Sequence, residues 1–324
     1  MSGQRDKIKT ISVLGPTASG KTALAVELAK LVGGEIISCD SMQLYREMDI
    51  GTATPSLDER GGIAHHLFDV VSPYEEFSAA DYADLAKAAV QETVSRGNIP
   101  IFCGGTGMYH DAVTRINEFG ENEKDERLRG ELYDYAERNG NAALHAMLCE
   151  IDPESAAAIH ENNVKRVVRA IEIYRLTGKT KSETDREQTA GESAYDDTVF
   201  VIDFADRALL YDRINRRVDI MMESGLEDEA RRLLLSGKPL GKTAMQAIGY
   251  KEFLPYFRGE CSLADVAEEI KLASRHYAKR QMIWFRRDKT AHRLVPDEKY
   301  EETGRLKSAE ELAAEAAEVF LNAE

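Results

Sequence analysis

One octapeptide, Gly15-Pro-Thr-Ala-Ser-Gly-Lys-Thr22, limits the folds open to this chain more than any other segment. It matches the pattern G-x-x-x-x-G-K-[ST] in full, and it lies between a short apolar, β-branched run at 8–14 and a helical pattern that ends at Gly33. In such a unit the glycines let backbone N–H groups point at one phosphate chain, and the helix dipole adds about half a positive charge. The sequence therefore predicts a phosphate-binding loop (P-loop), in which Lys21 reaches phosphate oxygens and the Thr22 hydroxyl is a ligand of Mg²⁺. The residues predicted to bind the phosphates are Gly15, Pro16, Thr17, Ala18, Ser19, Gly20, Lys21 and Thr22.

Short apolar strands alternate with helices through the first third of the chain. Strands are predicted at 35–39 and 99–103, and Ser78 with Asp81 forms a capping-box-like start for the helix between them. Such alternation is typical of a parallel sheet that is covered on both faces. The sequence therefore predicts the α/β class, with a P-loop NTPase-like parallel sheet core.

The pattern changes to helix from about residue 115. Asp152-Pro153 has the N-cap and first-turn signature of a helix start, and a strand pattern does not return until Thr198. We therefore expect a helical insertion domain at 115–197, within a core domain that comprises 1–114 and 198–324. Beyond the insertion the sequence predicts a strand at 198–204, helices around 210–222 and 266–284, a short strand at 293–296 and a final helix capped by Ser308.

Two further segments follow strands of the predicted sheet. Asp40-Ser-Met-Gln43 follows the second strand, and Gly104-Gly-Thr-Gly-Met-Tyr109 follows the third. Because ligands of open parallel sheets bind at the carboxyl ends of the strands, we expect these segments and the P-loop to surround one crevice. There Asp40 could bind magnesium or accept a proton, and Thr106 could donate to phosphate oxygens. The alternatives are a helix N-cap for Asp40 and a hydrogen bond to its own loop backbone for Thr106.

The net charge of −15, from 42 basic and 57 acidic side chains, at first argues against a nucleic-acid partner. The charge is nevertheless segregated: residues 162–181 carry +5 and residues 271–289 carry +6, which leaves −26 for the rest of the chain. Tyr277, Trp284 and Phe285 interleave with the second group of cations. Single-stranded RNA is recognised in this way, by cations on phosphates and aromatic rings on bases. Ion pairing of the same cations with the acidic surface is an equally open alternative.

Several classes of protein are disfavoured by simple patterns. No run of about 18 apolar residues is present, so we expect no membrane span, and the polar first residues lack the apolar segment of a signal peptide. The four cysteines have no metal-ligand spacing and are expected to be reduced thiols. Adjacent histidines point in different directions, so packing is a better interpretation of His65 and His66 than a metal site. These patterns favour a cytoplasmic protein, which we expect to be monomeric.

Taken together, the motifs resemble those of bacterial tRNA dimethylallyltransferases, also called tRNA isopentenyltransferases. The matching segments, in order, are Gly15–Thr22, Asp40–Tyr45, Asp49–Ala53, His65–Leu67, Gly104–Tyr109, Asn163–Glu172, Gln246–Tyr250, Tyr277–Gln281 and Trp284–Arg286. The resemblance implies that dimethylallyl diphosphate binds in the P-loop and donates its dimethylallyl group to tRNA. The acceptor would be the exocyclic amine of the adenine 3′-adjacent to the anticodon, and the insertion would clasp the anticodon stem-loop.

The resemblance also implies roles for individual residues. Asp40 would be the general base on the amine. Thr106 and Arg129 would stabilise the transition state, with Arg127 as an alternative to Arg129 because the match there passes through a variable stretch. The residues expected to contact tRNA, by resemblance or by their place in a basic segment, are Asp40, Ser41, Met42, Gln43, Lys165, Arg166, Arg169, Gln246, Ala247, Ile248, Gly249, Tyr250, Lys279 and Arg280.

Two residues depart from the family pattern. Met108 replaces a leucine of similar volume, and His110 stands where an apolar residue is expected, which leaves the packing around it open. A small-molecule P-loop kinase, with ATP in the loop, is the alternative function. The two basic segments and the large insertion argue against it.

Overall fold

The computed structural model describes residues 7–114, 125–190 and 193–322. The chain divides into two compact units, the first comprising Met1–Thr114 with Tyr195–Glu324 and the second comprising Arg115–Ala194. The first ten residues of the expected insertion, 115–124, lie outside the described residues. Within the described ranges, no helix is both long and apolar enough to cross a membrane.

A six-stranded sheet forms the centre of the first unit, and its strand pairs are parallel. The strands are β1 (Ile8–Leu14), β2 (Gly34–Ser38), β3 (His65–His66), β4 (Ile99–Gly104), β5 (Tyr195–Ile202) and β6 (His292–Leu294). Their order in the sheet is β3-β2-β4-β1-β5-β6. The inner strands β2 and β4 are buried almost throughout, as their continuous apolar runs predict. The predicted α/β class with a parallel sheet core is confirmed.

Helices cover both faces of this sheet and make up the described part of the second unit. They are α1 (Lys21–Val32), α2 (Ala79–Ser95), α3 (Gly107–Thr114), α4 (Glu126–Asn139), α5 (Asn141–Ile151), α6 (Pro153–Ala158), α7 (Val164–Thr177), α8 (Lys181–Ala190), α9 (Arg207–Glu223), α10 (Leu226–Leu234), α11 (Leu254–Phe257), α12 (Leu263–Phe285), α13 (Tyr300–Thr303) and α14 (Ala309–Asn322). Short 3₁₀ turns occur at Ala244–Gln246 and Lys251–Phe253.

Local sequence signals set several of these helix ends. The predicted capping box at Ser78 and Asp81 is present at the start of α2, and α12 begins with a second box at Ser262 and Asp265. Helix α1 ends at Gly33, whose φ of 69° is a left-handed conformation that glycine adopts without strain. These caps satisfy the terminal N–H and C=O groups that the helices leave unpaired.

The core of the first unit consists of two apolar clusters, one on each face of the sheet. Ile36 and Ile37 are neighbours on β2, and they enter different clusters because successive side chains of a strand point to opposite faces. Helices α1 and α14 cover one face, where Leu24 and Phe320 are buried. The second cluster contains large aromatic side chains, among them Tyr82 of α2. The sheet is thus fixed from both sides, which holds its strand ends in place.

Two strands differ from the sequence prediction. Strand β3 lies in 52–77, which the sequence predicts as loop; its two residues pair with Ile36 and Ile37 at the sheet edge, and so short a strand has no alternation to detect. Strand β5 begins at Tyr195 rather than Thr198, because Tyr195 is buried and pairs with Ile8 of β1. Both differences are set by contacts with distant residues.

His110, the departure from the family pattern, lies in a buried polar cluster. Its Nε2 is 2.9 Å from the Ser12 Oγ of β1 and 2.9 Å from the Asp197 Oδ2 of β5. Burial opposes protonation of the imidazole, but the hydrogen bonds and charges of Asp111 and Asp197 outweigh it and raise the pKa of His110 to about 9. The polar residue is therefore accommodated by an ion pair that ties α3 to β5.

The described part of the second unit consists of helices and the short turns that join them. Leu144, Leu148, Val168 and Ile171 belong to its apolar core. Asp152 caps α6 as predicted: its Oδ1 accepts the N–H of Ser155 at 3.0 Å, and its Oδ2 accepts the N–H of Ser182 at 2.9 Å. One carboxylate thus joins α6 to α8.

Candidate active site

A cavity of about 970 Å³ lies where the carboxyl ends of β1, β2 and β4 meet. Every segment that the sequence placed at this edge contributes to its lining, as expected for an open parallel sheet. The sequence-predicted site residues that line it are Thr17, Ala18, Gly20, Lys21, Thr22, Asp40, Ser41, Met42, Gln43, Thr106, Gln246, Ala247, Ile248, Gly249 and Arg280. Gly15, Pro16 and Ser19 complete the P-loop without lining the cavity, and the same is true of Tyr250 and Lys279 on the neighbouring segments.

The P-loop has the backbone that the motif predicts. Gly20 immediately precedes α1 with φ of 96°, and a Cβ at Gly15 would meet the carbonyl oxygen of Ile202 at 3.1 Å. Lys21 Nζ donates to the Pro16 carbonyl at 2.7 Å, and burial lowers the pKa of Lys21 to about 8. The Ser19 hydroxyl is buried without a hydrogen-bond partner among the described residues. The loop is therefore a compact set of donors aimed at an anion.

Two arginines of α9, which the sequence analysis did not single out, extend this cationic region. Arg213 Nε donates to the Ala18 carbonyl at 2.9 Å, and an Arg217 terminal nitrogen lies 3.4 Å from Thr17 Oγ1. The Nε of Arg217 is buried and has no hydrogen-bond partner in the described part of the chain. Burial lowers the pKa of Arg217, and the charge of Asp40 partly offsets this effect. Both arginines line the cavity, so three buried or half-buried cations, including Lys21, face one anion site.

A spacing signal for these arginines exists in the sequence. Leu210, Ile214 and Val218 mark the buried face of α9. Arg213 and Arg217 each precede one of these residues by one position, and they repeat at the same interval of four. Arginines beside the apolar face of a helix that follows a strand of a phosphate-binding sheet are candidate phosphate ligands.

Asp40 lies at the end of β2 and faces the cations across the cavity. Its Oδ1 accepts the N–H of Met42 at 3.0 Å, which caps a turn; no helix begins in this described segment, so the alternative of a helix N-cap is wrong. The carboxylate also lines the cavity, where its charge raises the pKa of Lys21 against the larger lowering effect of burial. Capping and access to a ligand are therefore compatible, because one oxygen is enough for the turn.

Thr106 connects the ends of β2 and β4. Its Oγ1 accepts the N–H of Ser41 at 3.0 Å, and its own N–H donates to the Cys39 carbonyl at 3.1 Å. The hydroxyl thus bonds to a neighbouring segment rather than to its own loop. A Cβ at Gly104 would lie 2.0 Å from the Cys39 oxygen, so this close approach of the two strand ends requires glycine.

Gln281 of α12 was also missed, and it bridges the P-loop and the glycine-rich segment. Its Oε1 accepts the N–H of Thr17 at 2.8 Å, and its Nε2 donates to the Gly105 carbonyl at 2.9 Å. The amide is 5% exposed. No local pattern in the sequence indicates this contact, because its partners lie far away along the chain.

Gln43 and Tyr250 support the cavity wall. The amide nitrogen of Gln43 donates to the carbonyls of Thr52 and Ala53, at 3.3 and 3.2 Å. The Tyr250 side chain is fully buried beneath the lining. The structure therefore gives both residues contacts within the protein that the sequence analysis did not anticipate.

Two predicted residues of the second unit, Arg129 and Arg169, lie close to one buried carboxylate. Arg129 Nε is 2.8 Å from Glu172 Oε1, and an Arg169 terminal nitrogen is 2.6 Å from Glu172 Oε2. Lys165 and Arg166 are exposed at the start of α7. The alternative residue, Arg127, pairs with Glu131 on the exposed face of α4.

The basic segment of α12 is divided between paired and available cations. Lys271 Nζ lies 2.7 Å from Asp219 and 2.9 Å from Glu268, so the ion-pair interpretation holds for that residue. Lys279 and Arg280 are exposed. The Arg280 guanidinium lies 5.6 Å from the centre of the Tyr277 ring, and that of Arg287 lies 4.9 Å from the Trp284 ring. The second half of the segment therefore presents arginine and aromatic groups side by side.

The oxygen-bearing side chains of the cavity determine how Mg²⁺ could be held. In the part of the chain that the structure describes, no group of three or more His, Cys, Asp or Glu residues could hold a metal by itself. Thr22 and Asp40 nevertheless line the same cavity. Mg²⁺ is commonly held by one or two protein oxygens together with substrate phosphates and water, and these residues fit that mode.

The other candidates are settled by their contacts. His66 Nε2 lies 2.6 Å from Glu35, whereas His65 Nδ1 bonds to the Ile63 carbonyl, so the two histidines have separate partners, as adjacent positions predict. All four cysteines are free thiols.

Comparison with known proteins gives a consistent result. A family model described as IPP transferase matches residues 43–288. The tRNA dimethylallyltransferase of Acetivibrio thermocellus is 48% identical over 286 residues, which cover 88% of this chain and 91% of that protein. The crystal structure of the full-length tRNA isopentenylpyrophosphate transferase from Bacillus halodurans is 41% identical, with 98% of this chain and 99% of that chain covered and a TM-score of 0.68. A eukaryotic dimethylallyltransferase crystallised while acting on tRNA is 30% identical, with 92% and 77% covered and a TM-score of 0.76.

Proposed function

The chain belongs to the IPP transferase family, and we propose that it transfers a dimethylallyl group from dimethylallyl diphosphate to tRNA. The acceptor is the exocyclic amine of the adenine 3′-adjacent to the anticodon, and the products are N6-(dimethylallyl)adenosine and diphosphate. The observation that carries this proposal is a single cavity in which P-loop donors and buried cations face a carboxylate. Family membership favours this reaction over phosphate transfer by a small-molecule kinase.

The cationic side of the cavity suits the leaving group. Negative charge develops on the diphosphate as the allylic C–O bond breaks, and the diphosphate departs with the electron pair. Lys21, Arg213 and Arg217 are positioned to hold this charge together with the N–H groups of the P-loop. Because these donors are already fixed by contacts with the loop, little reorganisation accompanies the reaction.

The carboxylate suits the acceptor. The adenine amine is a poor nucleophile, so its attack on the allylic carbon is assisted when Asp40 takes the proton as the new C–N bond forms. The amine of a stacked base is inaccessible, so the target base must swing out of the anticodon loop into the cavity. Asp40 lines the same cavity as Lys21, Arg213 and Arg217, which supports this role.

Three further assignments belong to the proposal. The Thr22 hydroxyl would hold Mg²⁺ together with donor phosphates, and the metal when bound would neutralise charge on the leaving group. Thr106 would position the reacting groups through the end of β2, to which it is bonded. Arg129 is assigned to stabilisation of the transition state by the family resemblance alone, since in this structure it pairs with Glu172 and does not line the cavity.

The RNA is expected to meet the exposed basic groups. Arg280 of α12 lines the cavity and Lys279 is its exposed neighbour, and Lys165 and Arg166 are exposed on α7. We place this reaction in the cytoplasm, where tRNA is available. We also propose that the enzyme is a monomer.

The direct test is transfer of label from radiolabelled dimethylallyl diphosphate to tRNA with three consecutive adenines on the 3′ side of the anticodon. We expect incorporation at the adenine next to the anticodon, without consumption of ATP. ATP turnover with no incorporation would show that the chain is a kinase instead.

Asp40→Asn is the matching variant. We expect it to bind the donor almost as the wild type does, but to transfer the group at least about a hundredfold more slowly, because the amide cannot take the proton. Asp84→Asn, at an exposed position of α2, is the control and should be fully active. An active Asp40→Asn enzyme would remove Asp40 from the role of base.

A further inference from the structure

A buried carboxylate lies directly behind the cavity wall and takes no part in the reaction described above. Glu229 of α10 is 4% exposed. Its Oε2 accepts the N–H groups of Asp49 and Ile50, each at 3.0 Å, and its Oε1 accepts the N–H of Gly51 at 3.0 Å. The Tyr250 hydroxyl donates to Oε1 as well, at 2.8 Å. These four hydrogen bonds saturate the carboxylate.

The two segments that Glu229 joins both line the cavity. One is the turn at 49–53 and the other is 246–250, of which residues 246–249 reach the lining. They also touch each other, since a Cβ at Gly51 would lie 2.6 Å from the Tyr250 ring. The position of each segment is therefore set by the same carboxylate and by direct packing.

The turn at 49–53 is also hydrogen-bonded to the segment that follows β2. Its last carbonyls, those of Thr52 and Ala53, accept the amide nitrogen of Gln43 at 3.3 and 3.2 Å. Gln43 follows Asp40 by three residues in the segment that faces the acceptor base. A continuous set of hydrogen bonds thus runs from Glu229 through the turn to the acceptor side of the site.

The donor side is held by other groups. The P-loop is fixed by Arg213 of α9, which bonds to Ala18, and by Gln281 of α12, which bonds to Thr17. Its contact with the turn is indirect and weak, because an Arg217 terminal nitrogen lies 3.5 Å from the Thr52 carbonyl. Loss of Glu229 should therefore disturb the acceptor side of the cavity more than the donor side.

We propose that Glu229 is a positioning residue for the acceptor RNA: it holds the turn at 49–53 against Tyr250 and thereby fixes the wall that the target base meets. This inference rests on the proposed function, since the acceptor is the RNA of that reaction. It assigns no chemical step to Glu229.

Glu229→Gln tests the inference with little change in volume. In glutamine an NH2 group replaces one oxygen of the carboxylate. This group would face N–H or O–H groups that donate to that oxygen in the wild type, so the turn loses part of its hydrogen bonding to residue 229. We expect the KM for tRNA and the Kd for an anticodon stem-loop RNA to rise about tenfold, while the Kd for inorganic diphosphate stays within twofold. Tyr250→Phe keeps the three backbone N–H bonds to Glu229 and removes only the hydroxyl bond. Its effect on the affinity for RNA should therefore be smaller and in the same direction. It also serves as the readout should Glu229→Gln fail to fold.

Glu35→Gln is the matched control. Glu35 is also 4% exposed and accepts several hydrogen bonds, from Arg96, Asn98 and His66, but it lies outside the cavity lining. We expect it to lower stability without changing the ratio of RNA to diphosphate affinity. If Glu229→Gln behaves in the same way, or weakens both ligands equally, the inference is overturned.

Failure of the inference and failure of the proposed function give different results. A wild type that transfers label, with an unchanged affinity ratio in Glu229→Gln, overturns the inference alone. A wild type that binds the RNA but transfers no label overturns the function, and the ratio still decides the inference. A wild type that does not bind the RNA overturns both.

Discussion

At the level of single residues, the donor site is notable for buried cations that have few acidic neighbours. Lys21 and Arg217 are held by backbone and hydroxyl oxygens, and burial lowers the pKa of both. Keeping two such charges together is unfavourable unless an anion joins them. A bound diphosphate, as the proposed function requires, would therefore stabilise an arrangement of cations that is unfavourable on its own.

Arg217→Gln should weaken donor binding selectively. A charge-assisted hydrogen bond of this kind contributes about 1.5–3 kcal/mol, so the Kd for inorganic diphosphate should rise about tenfold to a hundredfold. Affinity for the anticodon stem-loop should change less than twofold. Isothermal titration with each ligand measures both.

Arg207→Gln is the control for this measurement, since Arg207 is exposed at the start of the same helix and does not line the cavity. Equal losses of diphosphate affinity in the two variants would mean that net charge alone is responsible and that Arg217 has no specific contact.

Residues of the site were predictable where the chemistry is local in the chain. The P-loop, Asp40 and Thr106 were identified because a strand, a short motif and a turn follow one another directly. Arg217, Gln281 and Glu229 were not, because they come from helices that reach the site only through packing. Their partners in the P-loop, at Gly105 and in the turn at 49–53 lie 165 to 264 positions away.

At the level of elements, α3 is anchored at its start and at its middle. It begins directly after Thr106, and its His110 forms the buried ion pair with Asp197 of β5. Ser12 of β1 bonds to both partners of this pair. The element that carries the Thr106 segment is thus attached to two strands of the sheet.

The His110 ion pair should make stability depend on pH in the alkaline range. The folded-state pKa of His110, about 9, lies above the ordinary value of 6.5, so the protonated form stabilises the fold. This contribution is complete below pH 6.5 and is lost as the pH rises through 9. Its full size corresponds to about 3 kcal/mol, from a shift of that extent.

Chemical unfolding of the wild type and of His110→Gln, at pH 6 and at pH 9.5, measures this effect. The difference in unfolding free energy between the two proteins should be large at pH 6 and small at pH 9.5, because glutamine does not titrate. A difference that is the same at both pH values would show that His110 is neutral in the folded protein.

Elements were predictable where their periodicity or caps were strong. Helix α2 has the expected capping box, and the helical pattern at 210–222 lies within α9. The start of β5 and the two residues of β3 were not recovered, since pairing with Ile8 and Ile36 decides them rather than local propensity. At position 110, where an apolar residue is expected, His110 forms an ion pair with Asp197 that no local sequence pattern indicates.

At the level of the whole molecule, the distribution of charge matters more than its sum. The chain carries −15, yet Lys279 and Arg280 are exposed next to the cavity. Lys271, in the same basic segment, is paired with two acids. Ion pairing thus holds for Lys271, whereas RNA contact by the exposed Lys279 and Arg280 stays a prediction.

Binding of the anticodon stem-loop should therefore weaken steeply with salt. Replacing both Lys279 and Arg280 by glutamine should lower the slope of log affinity against log salt by about 1 to 2, because two phosphate contacts release fewer counterions. Lys271→Gln should leave the slope unchanged. A wild-type slope near zero, or equal changes in all variants, would contradict RNA docking at this end of α12.

The hydrogen bonds of Gln281 also have a consequence for folding of the chain during its synthesis. Thr17 leaves the ribosome early, but the amide that holds it belongs to a residue 264 positions later. Synthesis proceeds at about 5–20 residues per second, so the nascent loop waits tens of seconds or less without this partner. A prematurely terminated chain that lacks α12 would retain the phosphate motif without the amide that holds Thr17 and Gly105.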